Sequence, residues 1–507
     1  MTVFLPGLRS KETGTSRHTV VSVVGSAAAA GAIGYVVDFI VIPIVVHRVG
    51  AGLYGVWAAG AALVTVAALA DLGVRAEIVR RVAAAVGDKD RDALLRAVQL
   101  GTSILAVTGV LLGVAGVVLA PALRELILPR GGGGVSSDEL DLLIRLIVAV
   151  AAVSLVANGY FGVLQGLQRN DVQSYAQVIA APVGGLVTLG AVLLGAGLWG
   201  LLGGLIAQNL VQFSIEWVST RRLVPELRFR ITRIDPNLAR SFLTLAGLVL
   251  LSQVSDVIDS QWDKVVISHF LGAVTVTAFQ LGTLIALQAK AVAVLPLTPM
   301  LTSMAELRRH RPVQAEQMFR VLEGATMTVG TVAISGVFIF GPAFVGLWLG
   351  PNYAAAGRVA RLFSIAVAFN LLAAPLALRA FGEKWHRLPG IGSAVNIGVN
   401  GASSIILVMT IGLYGAIYGS IAGNAAGTIV FLWLMRRRMG ADWRWPSLRS
   451  VALGVGACAL LVPLHVLEPR SWWTLIVLAG AYALLLGALC ALLEGVRVRD
   501  LATRWHR

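Results

Sequence analysis

Long apolar runs alternate with short polar segments along the whole chain. Uninterrupted hydrophobic stretches fall at about 19–46, 51–73, 97–120, 142–166, 174–195, 198–218, 241–268, 273–300, 320–348, 359–381, 389–411, 413–434, 450–467 and 471–494. A helix that crosses about 30 Å of hydrocarbon needs roughly 20 such residues. Lipid-facing strands would instead alternate apolar and polar positions over about ten residues, and these runs are continuous. The pattern therefore predicts an all-α polytopic membrane protein with about fourteen transmembrane helices.

The basic residues orient these spans. With the N-terminus inside, the N-tail, alternate gaps and C-tail hold 31 of the 41 Lys and Arg, and the outside gaps hold six: Arg48, Arg124, Arg130, Arg358, Arg361 and Arg470. Cytoplasmic loops are enriched in Lys and Arg, so both termini are expected in the cytoplasm. The net charge of +15 is then a topology signal and does not point to nucleic acid. Hydrophobic residues make up 57%, charged residues only 13%, and mean hydropathy is +0.81, which excludes an ordinary cytosolic enzyme and a disordered chain. Only five of the cations are lysines, a usage that suggests GC-rich coding and a bacterial source. Cys458 and Cys490 lie in apolar runs, and seven scattered histidines show no metal-ligand spacing, so no cofactor is expected. The first 18 residues are too polar for a signal-peptide core, so the first run is read as a retained span.

The chain repeats itself. GLWGLLGGLIAQN (197–209) aligns with GLYGAIYGSIAGN (412–424) at an offset of 215, matching Asn209 with Asn424 and Arg221-Arg222 with Arg436-Arg437. HRVGAGLYGVWAAG (47–60) matches HFLGAVTVTAFQLG (269–282) more weakly, near 222. Six spans separate the copies, so both have one orientation, as in two-lobed transporters with a parallel repeat. The expected organisation is a tail (1–18), a first lobe (19–218), a linker (219–240) and a second lobe (241–434), then a basic loop (435–449), two further spans (450–494) and a C-tail (495–507).

Four segments in order carry a family resemblance: GLYGVWAAGAALVTVAALADLGVRAEIVRRVA (52–83), FGVLQGLQRNDVQSYAQV (161–178), DKVVISHFLG (263–272) and GLWLGPNYAAAGRVARLFSIA (346–366). Together they resemble the polysaccharide-exporter (Wzx-type O-antigen flippase) family, over about residues 19–440. One departure is the run Gly272 to Thr277, which lacks the family's tyrosine. The resemblance implies a two-lobed, MATE-like fold of the multidrug/oligosaccharidyl-lipid/polysaccharide (MOP) superfamily. It implies a polyprenyl-pyrophosphate-linked glycan as substrate and a bacterial inner-membrane location. It also implies glycosyltransferases and a polymerase as working partners. The two extra C-terminal helices resemble those of fourteen-span members such as the lipid II flippases.

Charges inside spans are costly, about 2.5–3.5 kcal/mol at a helix centre on insertion scales, so they mark cavities or partners. Ser252, Asp256, Asp259, Ser260 and Asp263 share one stripe of the seventh span, with Lys264 at its edge. Asp38 lies near the corresponding place of the first span, three residues after Tyr35. One reading makes these the lining of a central cleft, with ion coupling through Asp38, Asp256, Asp259 or Asp263. The other makes them a satisfied polar network in which Asp263 and Lys264 neutralise each other. Lys290 lies about ten residues, roughly 15 Å, from a span end, beyond comfortable snorkelling, with Gln280 and Thr283 on its side. It would meet a pyrophosphate as a point charge, or else pair with an aspartate. Arg145 and Arg379 lie near span ends, where snorkelling or headgroup contact would place them, and Arg75, Arg80 and Arg81 follow the Asp71-Leu72-Gly73 element at the inner face, where attraction of the anionic headgroup at entry or ordinary positive-inside bias would place them. Pro182, Pro296, Pro299 and Pro375 interrupt spans as hinges or tolerated bends. Trp443 and Trp445 beside Arg444 look like an interfacial anchor.

These features favour a lipid-linked oligosaccharide flippase working by alternating access, with membrane lipids as the other contact. A cation-coupled multidrug or metabolite exporter is the alternative. A membrane glycosyltransferase or polymerase would need a large outside loop, and the longest outside gap here is about 20 residues, 121–141. Nothing in the sequence marks an oligomer interface, so a monomer is the default.

Overall fold

The computed structural model describes residues 17–71, 73–129, 134–227, 257, 261–294, 312–383, 385, 387–440, 443, 448–463 and 469–493. The described residues are helical almost throughout. The helices are α1 (Arg17–Val49), α2 (Ala51–Ala67), α3 (Val74–Asp88), α4 (Arg91–Ile127), α5 (Ser137–Gly166), α6 (Asn170–Leu193) and α7 (Gly197–Leu223). They continue as α8 (Asp263–Leu271), α9 (Ala273–Val294), α10 (Pro312–Leu349), α11 (Ala354–Gly382), α12 (Arg387–Ile411), α13 (Leu413–Met439), α14 (Leu448–Leu461) and α15 (Trp472–Leu493). Among the described residues, 11 segments are long and apolar enough to cross a membrane. The seventh apolar run is described only in part, and α14 is shorter than a full span.

One expected gap is itself structured. The segment 74–97 is not a loop: it contains α3 and the first turns of α4. Val74, Ile78, Val82 and Ala85 recur at helical spacing and bury on one face against Leu94, Val98, Tyr160 and Val163. Lys89, at φ 56°, ends α3 in the left-handed region. Asp90 then caps α4, its side chain accepting from the Ala93 amide at 2.9 Å.

The chain divides into two compact units, residues 1–257 with 272–274, and 258–271 with 275–507. In unit 1, α6 packs along α7, α4 along α5, and α1 on α6. In unit 2, α12 packs along α13 and α10 along α11, while α14 and α15 lie on α10. Tyr482 of α15 donates to Ser335 Oγ of α10 at 2.6 Å and meets Phe340 edge-on at 5.6 Å. The last two helices therefore belong to unit 2 by side-chain contact.

Local details recur along the chain. Gly50 and Gly272 turn it at φ 87° and 86°, between α1 and α2 and between α8 and α9. Asn209 donates to the Leu205 carbonyl at 2.8 Å and accepts from Ser154 of α5 at 3.1 Å. Its match, Asn424, donates to the Ser420 carbonyl at 3.0 Å and is approached by Asn370 of α11 at 3.5 Å. Each asparagine thus ties two helices of its own unit, an interaction that hydrocarbon surroundings favour.

Within unit 2, Pro342 interrupts α10 and lacks the N–H that would bond the Phe338 carbonyl. Arg361 of α11 replaces it. Its Nε donates to the Phe338 carbonyl at 2.9 Å and its Nη2 to that of Ile339 at 3.4 Å. Gly357 allows this approach, because a Cβ there would lie 2.8 Å from Pro342 Cα. Arg361→Leu is expected to lower unfolding stability in detergent by about 1–3 kcal/mol, the range for losing a charge-assisted hydrogen bond. In a Pro342→Ala background the loss should shrink by at least half; an unchanged loss would show that the arginine does not serve the proline break.

Candidate functional site: a buried polar seam

Along α12, Gly392, Asn396, Asn400, Ser404 and Val408 recur every four residues and are buried. They face a row on α13 with the same spacing, Gly415, Gly419, Gly423 and Gly427. The fit leaves no room for side chains. A Cβ on Gly423 would meet Asn396 Oδ1 at 2.5 Å and Asn400 Cβ at 2.6 Å, and one on Gly427 would meet the Gly392 carbonyl at 2.7 Å. Glycines spaced by four let membrane helices approach this closely, and here they bring amide and hydroxyl groups into the interior of the unit.

Asp263, the first residue of α8, enters this seam and is fully buried. Ser404 Oγ donates to its Oδ1 at 2.7 Å, and Ser420 Oγ donates to Oδ2. Ser404 Oγ also lies 2.7 Å from Asn400 Oδ1. One hydroxyl has one proton, so the Ser404 proton is shared between the Asn400 amide oxygen and the Asp263 carboxylate. A carboxylate in this setting is tolerable only because donors surround it. Unit 1 has no counterpart at the matching positions. Gly185 packs there against Val37 and Val41, and Leu205 stands where Ser420 stands in unit 2.

The expected site residues are scattered differently. Lys264, next to Asp263, is buried and donates to Gln261 Oε1 at 2.8 Å, and among the described residues no ion pair joins it to Asp263. Gln280 and Lys290 are partly buried on α9 of the same unit. Arg379 is held by carboxylates: its Nε donates to Glu383 at 3.0 Å and its Nη2 lies 3.3 Å from Glu316, with the guanidinium 5.3 Å over Phe319. In unit 1, Asp38 and Arg145 are exposed on α1 and α5. The Arg75 amide donates to Asp71 at 2.9 Å and its guanidinium lies 5.2 Å over Phe161. Asp256, Asp259, Pro296, Pro299, Arg444 and Trp445 lie outside the described residues, while Pro182 and Pro375 are inside α6 and α11. The structure brings together Asp263, Lys264 and the α12–α13 seam. Among the described residues, no group of three or more His, Cys, Asp and Glu is arranged to hold a metal.

Sequence reasoning passed over Asn396, Asn400, Ser404 and Ser420. Their signal is the four-residue recurrence of polar positions opposite a four-residue recurrence of glycine. It also passed over Glu216, which is buried in α7 and bonded by Gln212 at 3.1 Å.

With this geometry in view, the chain can be placed among known proteins. The profile of the polysaccharide biosynthesis protein family matches residues 20–305. The chain belongs to this family. Similar solved structures agree in fold. "Lipid II flippase MurJ, inward closed conformation" is 11% identical, with 90% of this chain and 98% of that one covered at a TM-score of 0.63. An inward-facing multidrug resistance MATE family transporter of the MOP superfamily is 16% identical, with 85% and 96% covered and a TM-score of 0.61. A MOP superfamily transporter from Pyrococcus furiosus, described as having a reversed polarity of its binding pocket, is 16% identical, with 85% and 99% covered and a TM-score of 0.56. No curated protein matches the sequence.

In this family member the arginines after Asp71 are largely spoken for. Glu77 of α3 is buried; Arg80 bonds it at 2.7 and 2.6 Å and Arg81 at 2.7 Å. Burial alone would push the Glu77 carboxyl up, but the hydrogen bonds and charges of Arg80 and Arg81 outweigh it and hold it below the ordinary glutamate value. A carboxyl depressed in the folded state adds stability that is present above its unfolded pKa, about 4.3, and is lost as pH falls through the folded value. Glu77→Gln is therefore expected to lower the unfolding temperature clearly at pH 7. The gap to the unsubstituted protein should narrow as pH falls below about 4. A gap that stays constant with pH would remove Glu77 from this role.

Proposed function

We propose that the protein is a flippase for a polyprenyl-pyrophosphate-linked oligosaccharide in the bacterial inner membrane, serving cell-surface polysaccharide synthesis. The observation that carries this reading is the polysaccharide biosynthesis family match over residues 20–305. The two units act as lobes of a parallel repeat that alternate access to the glycan-pyrophosphate headgroup, while the polyprenyl tail stays in lipid. Lys290, Lys264, Gln280, Arg145, Arg379 and Arg75 are the candidate headgroup contacts, with Lys290 the leading one because the sequence sets it about ten residues inside its apolar run. Both termini face the cytoplasm, in keeping with the 31 basic residues assigned to that side. Glycosyltransferases and a polymerase would work beside it, and the chain acts as a monomer. An apolar cavity of about 330 Å³ between α10, α11 and α14, walled by Ile334, Phe338, Leu371 and Val455, has the chemistry to take a hydrocarbon chain.

The second reading, a cation-coupled exporter of soluble compounds, is favoured by one observation: Asp263 is a buried carboxylate held by hydroxyls that a proton would leave in place. Asp38, Asp256 and Asp259 are the other candidates for coupling. The two readings combine if Asp263 couples an ion to flipping. Asp263→Asn should then leave transport slow and indifferent to external pH, whereas a variant that keeps the original pH profile would exclude Asp263 from coupling.

Depletion in the native host, followed by mass spectrometry of membrane lipids with a side-specific sugar label, tests the substrate class. A polyprenyl-pyrophosphate glycan should accumulate on the inner face. Unchanged lipid-linked glycans under confirmed depletion, with no redundant flippase, would favour the exporter. Lys290→Glu should abolish complementation at normal protein level, and full complementation would remove Lys290 from the pathway.

A further inference from the structure

The last turns of α7 and α13 carry the same arrangement, 216 residues apart. The Arg221 guanidinium lies 4.5 Å over the ring of Trp217, four residues earlier on α7. The Arg437 guanidinium lies 3.8 Å over the ring of Trp433, again four residues earlier. Arg222 and Arg438 follow directly, and Arg438 lies 5.2 Å over Trp385. The surrounding octets, EWVSTRRL and LWLMRRRM, share only the tryptophan and these two arginines. This pairing is one residue out of the 215-residue register that matches Asn209 with Asn424, so the two helix ends are alike in contact rather than aligned in sequence.

These four arginines also differ from most of those nearest them in their units. Arg80 and Arg81 pair with Glu77, Arg91 with Glu226, Arg169 with Asp171, and Arg320 and Arg379 with Glu316. Among the described residues, no carboxylate pairs with Arg221, Arg222, Arg437 or Arg438, and all four are exposed. The negative end of a helix dipole favours cations in a last turn. That explains the charges but not a tryptophan one turn below the first arginine in both units, nor the 48% exposure of Trp433. An indole settles at the bilayer interface, and a guanidinium stacked on it keeps its N–H edge free. That edge matches phosphate oxygens as a fork.

We propose that each unit binds one acidic phospholipid from the leaflet its arginine-rich helix end reaches. The phosphodiester sits between Arg221 and Arg222 in unit 1, and between Arg437 and Arg438 in unit 2. Each indole packs against the glycerol and upper acyl region. A zwitterionic lipid would bring its own cation to the guanidinium pair, so the sites select against it. This site is separate from the headgroup pathway proposed above and stands whether or not the substrate is a lipid-linked glycan.

Native mass spectrometry of the full chain in detergent, titrated with phosphatidylglycerol or phosphatidylcholine, reads it directly. Two phosphatidylglycerols should be retained per chain, and phosphatidylcholine should not be retained at the same concentration. At roughly fivefold per arginine near a membrane surface, Arg437→Gln with Arg438→Gln should weaken one site by about 30-fold. Arg221→Gln with Arg222→Gln should do the same to the other site. Trp433→Leu, which keeps every charge, should weaken its site about threefold, near the lower range for an exposed cation–π pair. Arg169→Gln, an arginine already paired, should change neither. Equal retention of phosphatidylcholine, undiminished retention in the fourfold variant, or an equal loss in Arg169→Gln would overturn the proposal. So would displacement by millimolar inorganic phosphate, which would make this a simple anion site. Should a glutamine variant fail to fold, the paired Arg→Lys variants keep charge without the planar fork, and undiminished retention in them would likewise overturn it.

Discussion

Hydrocarbon offers no hydrogen bonds, so every polar group that enters the membrane interior must find its partner within the chain. Much of this structure answers that one constraint. Backbone groups are satisfied by helices. Where Pro342 breaks the ladder, Arg361 reaches from the next helix to the Phe338 carbonyl that loses its N–H partner, and to that of Ile339 beside it. Where an asparagine faces a neighbouring helix, it bonds its own i−4 carbonyl and a polar side chain across the gap. The carboxylate of Asp263 follows the same rule, held by two serine hydroxyls from two helices.

The seam around Asp263 links packing to chemistry. Its glycine row brings α12 and α13 close enough for amides and hydroxyls to converge on one carboxylate. The matching region of unit 1 is filled by Gly185, Val37, Val41 and Leu205. At these sequence-matched positions unit 2 is polar and unit 1 apolar.

Much of the architecture was legible in the sequence because hydrophobic length and arginine bias report on the membrane directly. The apolar runs, the resemblance over about residues 19–440 and the Asn209–Asn424 match all rest on local signals. The helix α3 was not seen as an element, because a short amphipathic helix at a membrane end resembles a charged loop until Val74, Ile78, Val82 and Ala85 are read as one face. The site was less legible still. Charge drew attention to Asp263, but its partners Ser404, Ser420 and Asn400 are uncharged and become conspicuous only when two helices are laid side by side. The same limit applied to Arg379 and to the pair Arg80 and Arg81. Each stands in the sequence as an isolated cation, while its carboxylate partner lies one turn away or on another helix.

Reconstitution tests the central claim most directly. The purified protein would be placed in vesicles loaded with a polyprenyl-pyrophosphate glycan on one leaflet, and the sugar read with an impermeant label on the other. A flippase should speed appearance of the sugar well above protein-free vesicles, and Lys290→Glu should abolish the increase. No acceleration by active, correctly folded protein, together with ion-driven movement of soluble compounds, would contradict the flippase and establish the exporter.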